Sequence, residues 1–250
     1  MKEREIYADL RTLSPIIVRL DGRAFHQVTR NLSFIEPFDE RFAAAMTQVT
    51  SSLLGDAGFA PVFGYTFSDE ISLYFTECPY LGRVEKIDSV LASFAASALT
   101  IALQLKEAVS FDARIIPVTP DHVLPYLSWR QQEAWRNHMN GWSQKLLKDE
   151  GYTSQEAASM LHAMKAAELH EFCFQRGVNL AMTPAWQRRG ILVYRNVIEK
   201  EGYNPKTDEK TITTRRIVMI DKDIPLFGKP DGRELIFKIL IPHSAVCYVK

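Results

Sequence analysis

Val62-Phe63-Gly64-Tyr65-Thr66-Phe67-Ser68-Asp69-Glu70-Ile71-Ser72-Leu73-Tyr74-Phe75 is the stretch on which the fold turns. Residues 61–67 and 70–76 are two apolar, β-rich runs, close enough to pair as a hairpin around Ser68-Asp69. Working outward, residues 15–20 read as a buried strand that runs into Asp21-Gly22-Arg23. Pro37 opens a helix in its first turn, where the missing N–H costs nothing. Phe38, Phe42, Met46, Val49 and Leu53 then share a face, and Gly55 and Gly58 end the helix. A second amphipathic helix covers 84–106, with Val84, Ile87, Leu91, Phe94, Ala98, Ile101 and Leu105 inward, and 111–118 is a fourth strand. The order β-α-β-β-α-β is that of the ferredoxin-like fold, one antiparallel sheet with two helices on one face. Asp21 and Asp69 then leave the same edge of the sheet.

Two aspartates at the ends of neighbouring strands are a place for divalent cations ~3.5–4 Å apart, the arrangement that activates an attacking oxygen and stabilises a leaving one. Mg²⁺ suits so few carboxylates, because it keeps waters and takes substrate phosphates as ligands. Arg19, Arg23 and His26 crowd the first aspartate, and the hydroxyl of Ser68 adjoins the second. Asp21-Gly22 and Ser68-Asp69 also read as plain turns, and Arg23 as an ion-pair partner of Asp39 or Glu70.

Lys and Arg number 30, as do Asp and Glu, so nucleic acid would have to be met by local patches rather than net charge. Cys78, Cys173 and Cys247 are odd in number and far apart, which excludes a disulfide framework or a metal-ligating pair. The charged start Met1-Lys2-Glu3-Arg4-Glu5 lacks the apolar core of a signal peptide, and no apolar run reaches ~18 residues. The chain therefore reads as cytoplasmic, with no membrane span.

After Pro120 the pattern changes. Ser128-Trp129-Arg130-Gln131 has the form of a capping box opening a helix to about Lys148, and Thr153-Ser154-Gln155-Glu156 that of a second, opening a helix through Ala167. Thr183-Pro184 starts a short turn towards Arg188-Arg189, and Ile191 to Val197 is a strand. Residues 199–210 read as a charged loop, and 211–220 and 234–241 as two further strands. The fold class expected is α+β: a palm-like core over 1–118, and a helical second half with a small β region over 119–250. Along the first of those helices Arg130, Arg136 and His138 are candidates to meet RNA phosphates, with Arg188 and Arg189 beyond. Trp129 and Trp135, Lys210, Arg215 and Arg216 read as core or as an ordinary solvated edge.

Arg19-Leu20-Asp21-Gly22-Arg23 with Phe25-His26, Phe34 with Pro37 and Asp39, Ser68-Asp69-Glu70, Phe111-Asp112-Ala113-Arg114, and Tyr126-Leu127-Ser128-Trp129-Arg130-Gln131 occur in one order. Together they resemble the tRNA-His guanylyltransferase family, including its archaeal and bacterial-type relatives, over roughly residues 15–195. The resemblance implies a polymerase-like palm that adds nucleotides to a tRNA 5′ end in the 3′–5′ direction. It implies two Mg²⁺ ions, GTP and ATP as substrates, tRNA as partner and a tetrameric assembly. On the same ground Asp21 and Asp69 are metal ligands, Gly22 ligates through its carbonyl, and Glu70 is an essential acidic neighbour. Nucleotide would be held by residues 21–26 (Asp21, Gly22, Arg23, Ala24, Phe25, His26) and by Ser68 and Asp69. Arg19 resembles a triphosphate contact, and His26, Phe34 and Asp39 resemble residues around the base. The chain departs from eukaryotic members at Glu36, at Trp135-Arg136-Asn137-His138 and at Leu169, with Lys165 one turn away. These departures favour the archaeal-type branch, with template pairing and repair of truncated 5′ ends, over reading of a His anticodon.

A nucleotide cyclase or dinucleotide synthase on the same palm is the rival enzyme. Ser68-Asp69-Glu70 at the hairpin, where such enzymes carry a Gly-Gly-acidic turn, speaks against it. Clustered carboxylates, which repel phosphate without a metal, speak against a purely RNA-binding module.

Overall fold

Among the described residues six strands form one antiparallel sheet in the order β4-β1-β3-β2-β5-β6. They are β1 (Ile16–Gly22), β2 (Phe63–Phe67), β3 (Glu70–Phe75), β4 (Phe111–Pro117), β5 (Ile191–Asn204) and β6 (Glu209–Asp221). The computed structural model describes residues 1–55, 58–204 and 209–244, so Cys247 lies outside the described residues. The hairpin occurs as expected, with Phe67 opposite Glu70 across the Ser68-Asp69 turn and Ser68 at a φ of 49°.

Alternation along β1 and β3 sends side chains to two separate cores. Ile16, Val18, Leu20, Ile71, Leu73 and Phe75 face α2 (Glu40–Gly55) and α3 (Val84–Ala102). Ile17 and Tyr74, with Phe63 and Tyr65 of β2, face α4 (Pro120–Asp149), Phe227, and Ile236 and Ile239 of α8 (Pro230–Ser244). Apolar groups on both faces explain why β2 and β3 are buried at every position. A third cluster joins Met139 of α4 to Leu169 and Cys173 of α6 (Ala166–Gln175), beside α5 (Ser154–Leu161).

Several expected boundaries are corrected. The first long helix begins at Glu40 rather than Pro37, because Asp39 accepts the backbone N–H of Ile35 (2.8 Å) and of Arg41 (2.7 Å) and so organises the helix start. A separate short helix, α1 (Phe25–Asn31), occupies part of the loop expected after Asp21. Ile101, expected inward, is 75% exposed, because α3 buries the Ile87, Leu91, Ala95 and Leu99 stripe instead. Helix α4 starts at Pro120, capped by Thr119 with His122, so Ser128 lies inside it and caps nothing. The Thr153–Glu156 capping box is present, with Glu156 accepting from the Thr153 N–H at 2.8 Å. Its helix stops at Leu161, and α6 follows as a separate element.

The charged segment 199–210 is not a loop throughout: β5 runs on to Asn204 and β6 begins at Glu209. Both extend the main sheet, since β5 pairs with β2, so among the described residues the second half forms no separate β region. Residues 234–241 are helical, within α8. A short apolar run carries no period that separates strand from helix. Pro230 at the start of α8 and burial of Ile236 and Ile239, three apart, decide for helix. Among the described residues no helix is long and apolar enough to cross a membrane.

Candidate active site

The two acidic stretches meet at one end of the sheet. Asp21 stands opposite Glu70 on β3 and opposite Asp112 on β4. The backbone N–H of Gly22 donates to the carbonyl of Asp69 (3.1 Å), which ties the end of β1 to the hairpin tip. A Cβ at Gly22 would come within 2.4 Å of the Phe25 ring and 2.9 Å of the Asp69 Cβ, so only glycine allows this approach. Ser68 Oγ donates to Asp69 Oδ1 (3.0 Å). Burial pushes the Asp69 carboxyl above the usual carboxylate range, and the negative charge of Asp21 adds to the push. A half-buried carboxylate beside another gains from a cation. The donors at hand are the Asp21 and Asp69 carboxylates and the Gly22 carbonyl, all hard oxygens, and they fit Mg²⁺. Among the described residues no cluster of three or more His, Cys, Asp and Glu side chains is assembled to hold a metal. A cation here would therefore complete its shell with phosphate and water.

Glu70 points away from that edge, into the face covered by α4. Arg130 grips it with two parallel bonds, Nε to Oε1 (2.8 Å) and Nη2 to Oε2 (2.5 Å). Burial pushes the Glu70 carboxyl up and the guanidinium pulls against it. Ser72 Oγ and the Tyr126 hydroxyl, 2.8 Å apart, close the same polar layer. Arg19 belongs to it too: its guanidinium lies 5.8 Å from the Trp129 ring, and its Nε is buried without a partner among the described residues. Trp129, 46% exposed, carries the Arg130 guanidinium at 4.5 Å on its ring.

Beside the hairpin tip opens a cavity of about 640 Å³. Ala24, Phe25, Phe34, Asp39, Ser68 and Asp69, all expected nucleotide contacts, line it. Asp39 arrives already engaged, bonded by Arg41 Nη2 (2.6 Å) and Nε (3.0 Å), which holds its carboxyl well below the usual range. The Arg41 guanidinium in turn covers the Phe34 ring at 4.7 Å. Arg23 is exposed, and the ion pairs suggested for it are taken: Asp39 by Arg41 and Glu70 by Arg130. His26 falls on α1, and its side chain lies outside the described part of the structure.

The expected RNA contacts divide. Arg130 and His138 are buried, 8% and 0% exposed, and neither presents its side chain to solvent. Arg130 is turned inward by Glu70, and His138 by stacking between Phe38 and Trp135 with its Nε2 3.0 Å from Thr183 Oγ1. Arg136 is exposed and pairs with Glu133 (3.3 Å). Arg188 and Arg189, on α7 (Ala185–Arg189), are half-buried and donate to the carbonyls of Thr183 (2.9 Å) and Ile224 (3.0 Å). Of the departures from the eukaryotic pattern, Glu36 pairs with Lys148 (2.9 Å) and Leu169 is core.

The sequence reading missed the α4 side of the cavity. Asn137, Asn140 and Gln144 border it, and Gly141 lets the segment before α2 approach: a Cβ there would lie 3.2 Å from that of Pro37. Their spacing of three and four residues is the signal that could have found them.

A family model described as tRNAHis guanylyltransferase matches residues 1–119, and one described as Thg1 C terminal domain matches residues 121–224. A probable tRNA(His) guanylyltransferase of Bos taurus is 30% identical over 199 residues, 74% of this chain and 66% of that protein. One of Drosophila melanogaster is 29% identical over 191 residues, 72% of this chain and 66% of that protein. The chain spans only 39% of the matching Arabidopsis thaliana tRNA(His) guanylyltransferase 2. In fold, a bacterial tRNA(His) guanylyltransferase-like protein solved with GTP superposes with a TM-score of 0.69 at 24% identity, over 96% of both chains. The one solved with ATP gives 0.71 at 23% identity over the same shares.

Proposed function

The chain belongs to the tRNA(His) guanylyltransferase family, and from that premise we propose that it is a nucleotidyltransferase that extends tRNA 5′ ends in the 3′–5′ direction. The observation that carries this reading is the Gly22–Asp69 backbone bond, which brings two aspartates to one sheet end beside a cavity of nucleotide size. Strands β1–β4 with α2 and α3 then serve as a ferredoxin-like palm. Residues 1–118 form the catalytic core, and residues 119–250 cover it and hold tRNA.

A tRNA 5′-monophosphate is a poor electrophile and must be activated. Its phosphate oxygen attacks the α-phosphorus of ATP or GTP, and the bond to pyrophosphate breaks. The 3′-hydroxyl of an incoming GTP then attacks the tRNA 5′ phosphorus, releasing the nucleoside monophosphate and the hydroxyl proton. Positioning and charge neutralisation carry most of such phosphoryl transfers. Asp21, Asp69 and the Gly22 carbonyl would hold two Mg²⁺ ions, which lower the pKa of the attacking hydroxyl and neutralise the leaving oxygen. Phe34 and Phe25 offer apolar walls to a base, and Ser68 keeps Asp69 oriented. The family resemblance assigns Arg19 and Arg23 to phosphate oxygens: Arg23 is exposed just after β1, whereas Arg19 lies in the polar layer under α4 and would have to turn out of it. Glu70 acts as a positioning residue through Arg130. Glu36 and Trp135 stand where eukaryotic members differ, so the reading includes template-paired repair of truncated tRNAs, and the assembly is a homo-tetramer.

The test is incubation of the full chain with 5′-³²P-labelled tRNA lacking its first nucleotide, Mg²⁺ and triphosphates. Growth by one nucleotide at the 5′ end is expected, faster when the incoming base pairs with the opposing 3′-strand nucleotide. Asp21→Ala and Asp69→Ala should each lower the rate at least ~1000-fold while keeping the wild-type melting temperature within a few degrees. Near-normal turnover in either variant would remove the carboxylate pair from the mechanism.

A further inference from the structure

Trp129 is the one tryptophan of four that lies open to solvent; the other three are half-buried. Its ring is nevertheless fixed. The Arg130 guanidinium stacks on it at 4.5 Å, that of Arg19 stands 5.8 Å away, and the Tyr126 ring meets it edge-on at 5.8 Å and 76°. Both arginines belong to the polar layer under α4, so one face of the indole rests on that layer and the other is left to solvent. A lid over the Glu70–Arg130 pair needs only the inner face. The outer face, already held in place, loses little freedom when a flat partner stacks on it.

Its place singles out the partner. Arg130 grips Glu70, which stands opposite Asp21 in the sheet. Arg19 precedes Asp21 by two residues on the same face of β1, about 7 Å along the strand. Asp69 lines the nucleotide cavity and Asp21 does not. With a triphosphate in the cavity, the carboxylate pair is still reached from the β1–β4 side, past Trp129. Exposed cations flank that approach: Arg23, Arg114 opposite Arg19 on β4, and Arg136 two turns along α4. Arg114 and Arg136 hold only surface partners, Asp112 (3.4 Å) and Glu133 (3.3 Å), and such pairs are weak enough to yield to phosphate. An open aromatic face among cations suits the end of a nucleic acid, whose bases stack while its phosphates pair.

We propose that Trp129 is the platform on which the base of the tRNA 5′-terminal nucleotide stacks, bringing that nucleotide's phosphate to the Asp21–Asp69 end; this rests on the reading of the substrate as a tRNA 5′ end given above. Every base has a π face, so the platform positions the end without reading its sequence.

The experiment is filter binding of the full chain to a tRNA with a 5′-monophosphate, and to the same tRNA with an abasic first nucleotide. Trp129→Leu should weaken binding of the intact tRNA at least about fivefold, and Trp129→Phe, which keeps an aromatic face, should stay within about threefold of wild type. On the abasic tRNA, wild type and Trp129→Leu should bind alike, which loss of a mere lid would not produce. In parallel, 5-iodouridine placed as the first nucleotide and irradiated in the wild-type complex should cross-link to Trp129, as mapped by mass spectrometry. The proposal is overturned if Trp129→Leu binds intact tRNA as wild type does, if it loses equally on both tRNAs, or if the main cross-link falls elsewhere, as at Phe25 or Phe34 in the cavity. Should urea melts show Trp129→Leu to be unfolded, the wild-type cross-link alone decides. A wild type that binds no tRNA would strike the substrate reading itself, a result distinct from all of these.

Discussion

At the scale of single residues, the Glu70–Arg130 pair sets the tone of the site. Both side chains are nearly enclosed, 7% and 10% exposed, and joined by two parallel bonds. Breaking such a pair by removing one partner strands a charge and costs about 3–5 kcal/mol, whereas replacing both by apolar groups is often close to neutral. Arg130→Met and Glu70→Leu should therefore each unfold at markedly lower urea concentration, and the double variant should recover most of the loss. A double-mutant cycle by urea denaturation measures this. Arg130→Met with unchanged stability and weakened tRNA binding would instead return Arg130 to the RNA surface. Of the phosphate contacts expected on α4, Arg136 is left to that role. Arg136→Ala should lower the slope of log affinity for tRNA against log salt by about one, with triphosphate binding unchanged, as a salt titration would show.

At the scale of elements, α4 does the work of two helices: one side seals the sheet, another borders the cavity. Its His138 is packed between Phe38 and Trp135, close to Thr183, with the charged Arg188 near it. Burial first, and then the Arg188 charge, lower its pKa from 6.5 to about 4. A folded value below the unfolded one means the unfolded chain takes up the proton first as pH falls. Stability from this residue is thus complete above about pH 6.5 and is lost progressively down to about pH 4. At pH 4.5 the loss should reach about 2–3 kcal/mol. Comparing urea melts of wild type and His138→Gln at pH 7 and pH 4.5 isolates it: the variant should lose that much less. Equal losses would show that another group governs the acid limb.

At the scale of the whole molecule, the sheet runs through both halves of the chain. Strand β5 pairs with β2, and α4, Phe227 and α8 cover the face that carries Ile17, Phe63, Tyr65 and Tyr74. Residues 1–118 alone would expose that face and the β2 edge, and such surfaces associate. The fragment should lack a cooperative melting transition and sediment as aggregate, which calorimetry and analytical ultracentrifugation can check. A sharp, monomeric transition would show the first half to be an independent domain. Of the stretches that sequence order alone had to assign, 234–241 belongs to this covering of the sheet, and Glu199–Asn204 and Glu209–Lys210 belong to the β5–β6 pair.

The local part of this protein was determined by sequence. A two-residue turn between alternating runs admits one register, so Asp69 had to sit at a hairpin tip, and Gly22 had to follow a strand end beside it. The Thr153–Glu156 cap is as local, since both partners lie within one turn. Long-range packing decided the rest. Whether Arg130 and His138 meet RNA or core depends on which helix face the sheet and the Phe38 segment cover, and helical spacing is silent on that. The run at 234–241 took helix because Ile236 and Ile239 found a face of the sheet left open by α4. Local rules reach one turn or one hairpin; burial is settled by partners tens of residues away.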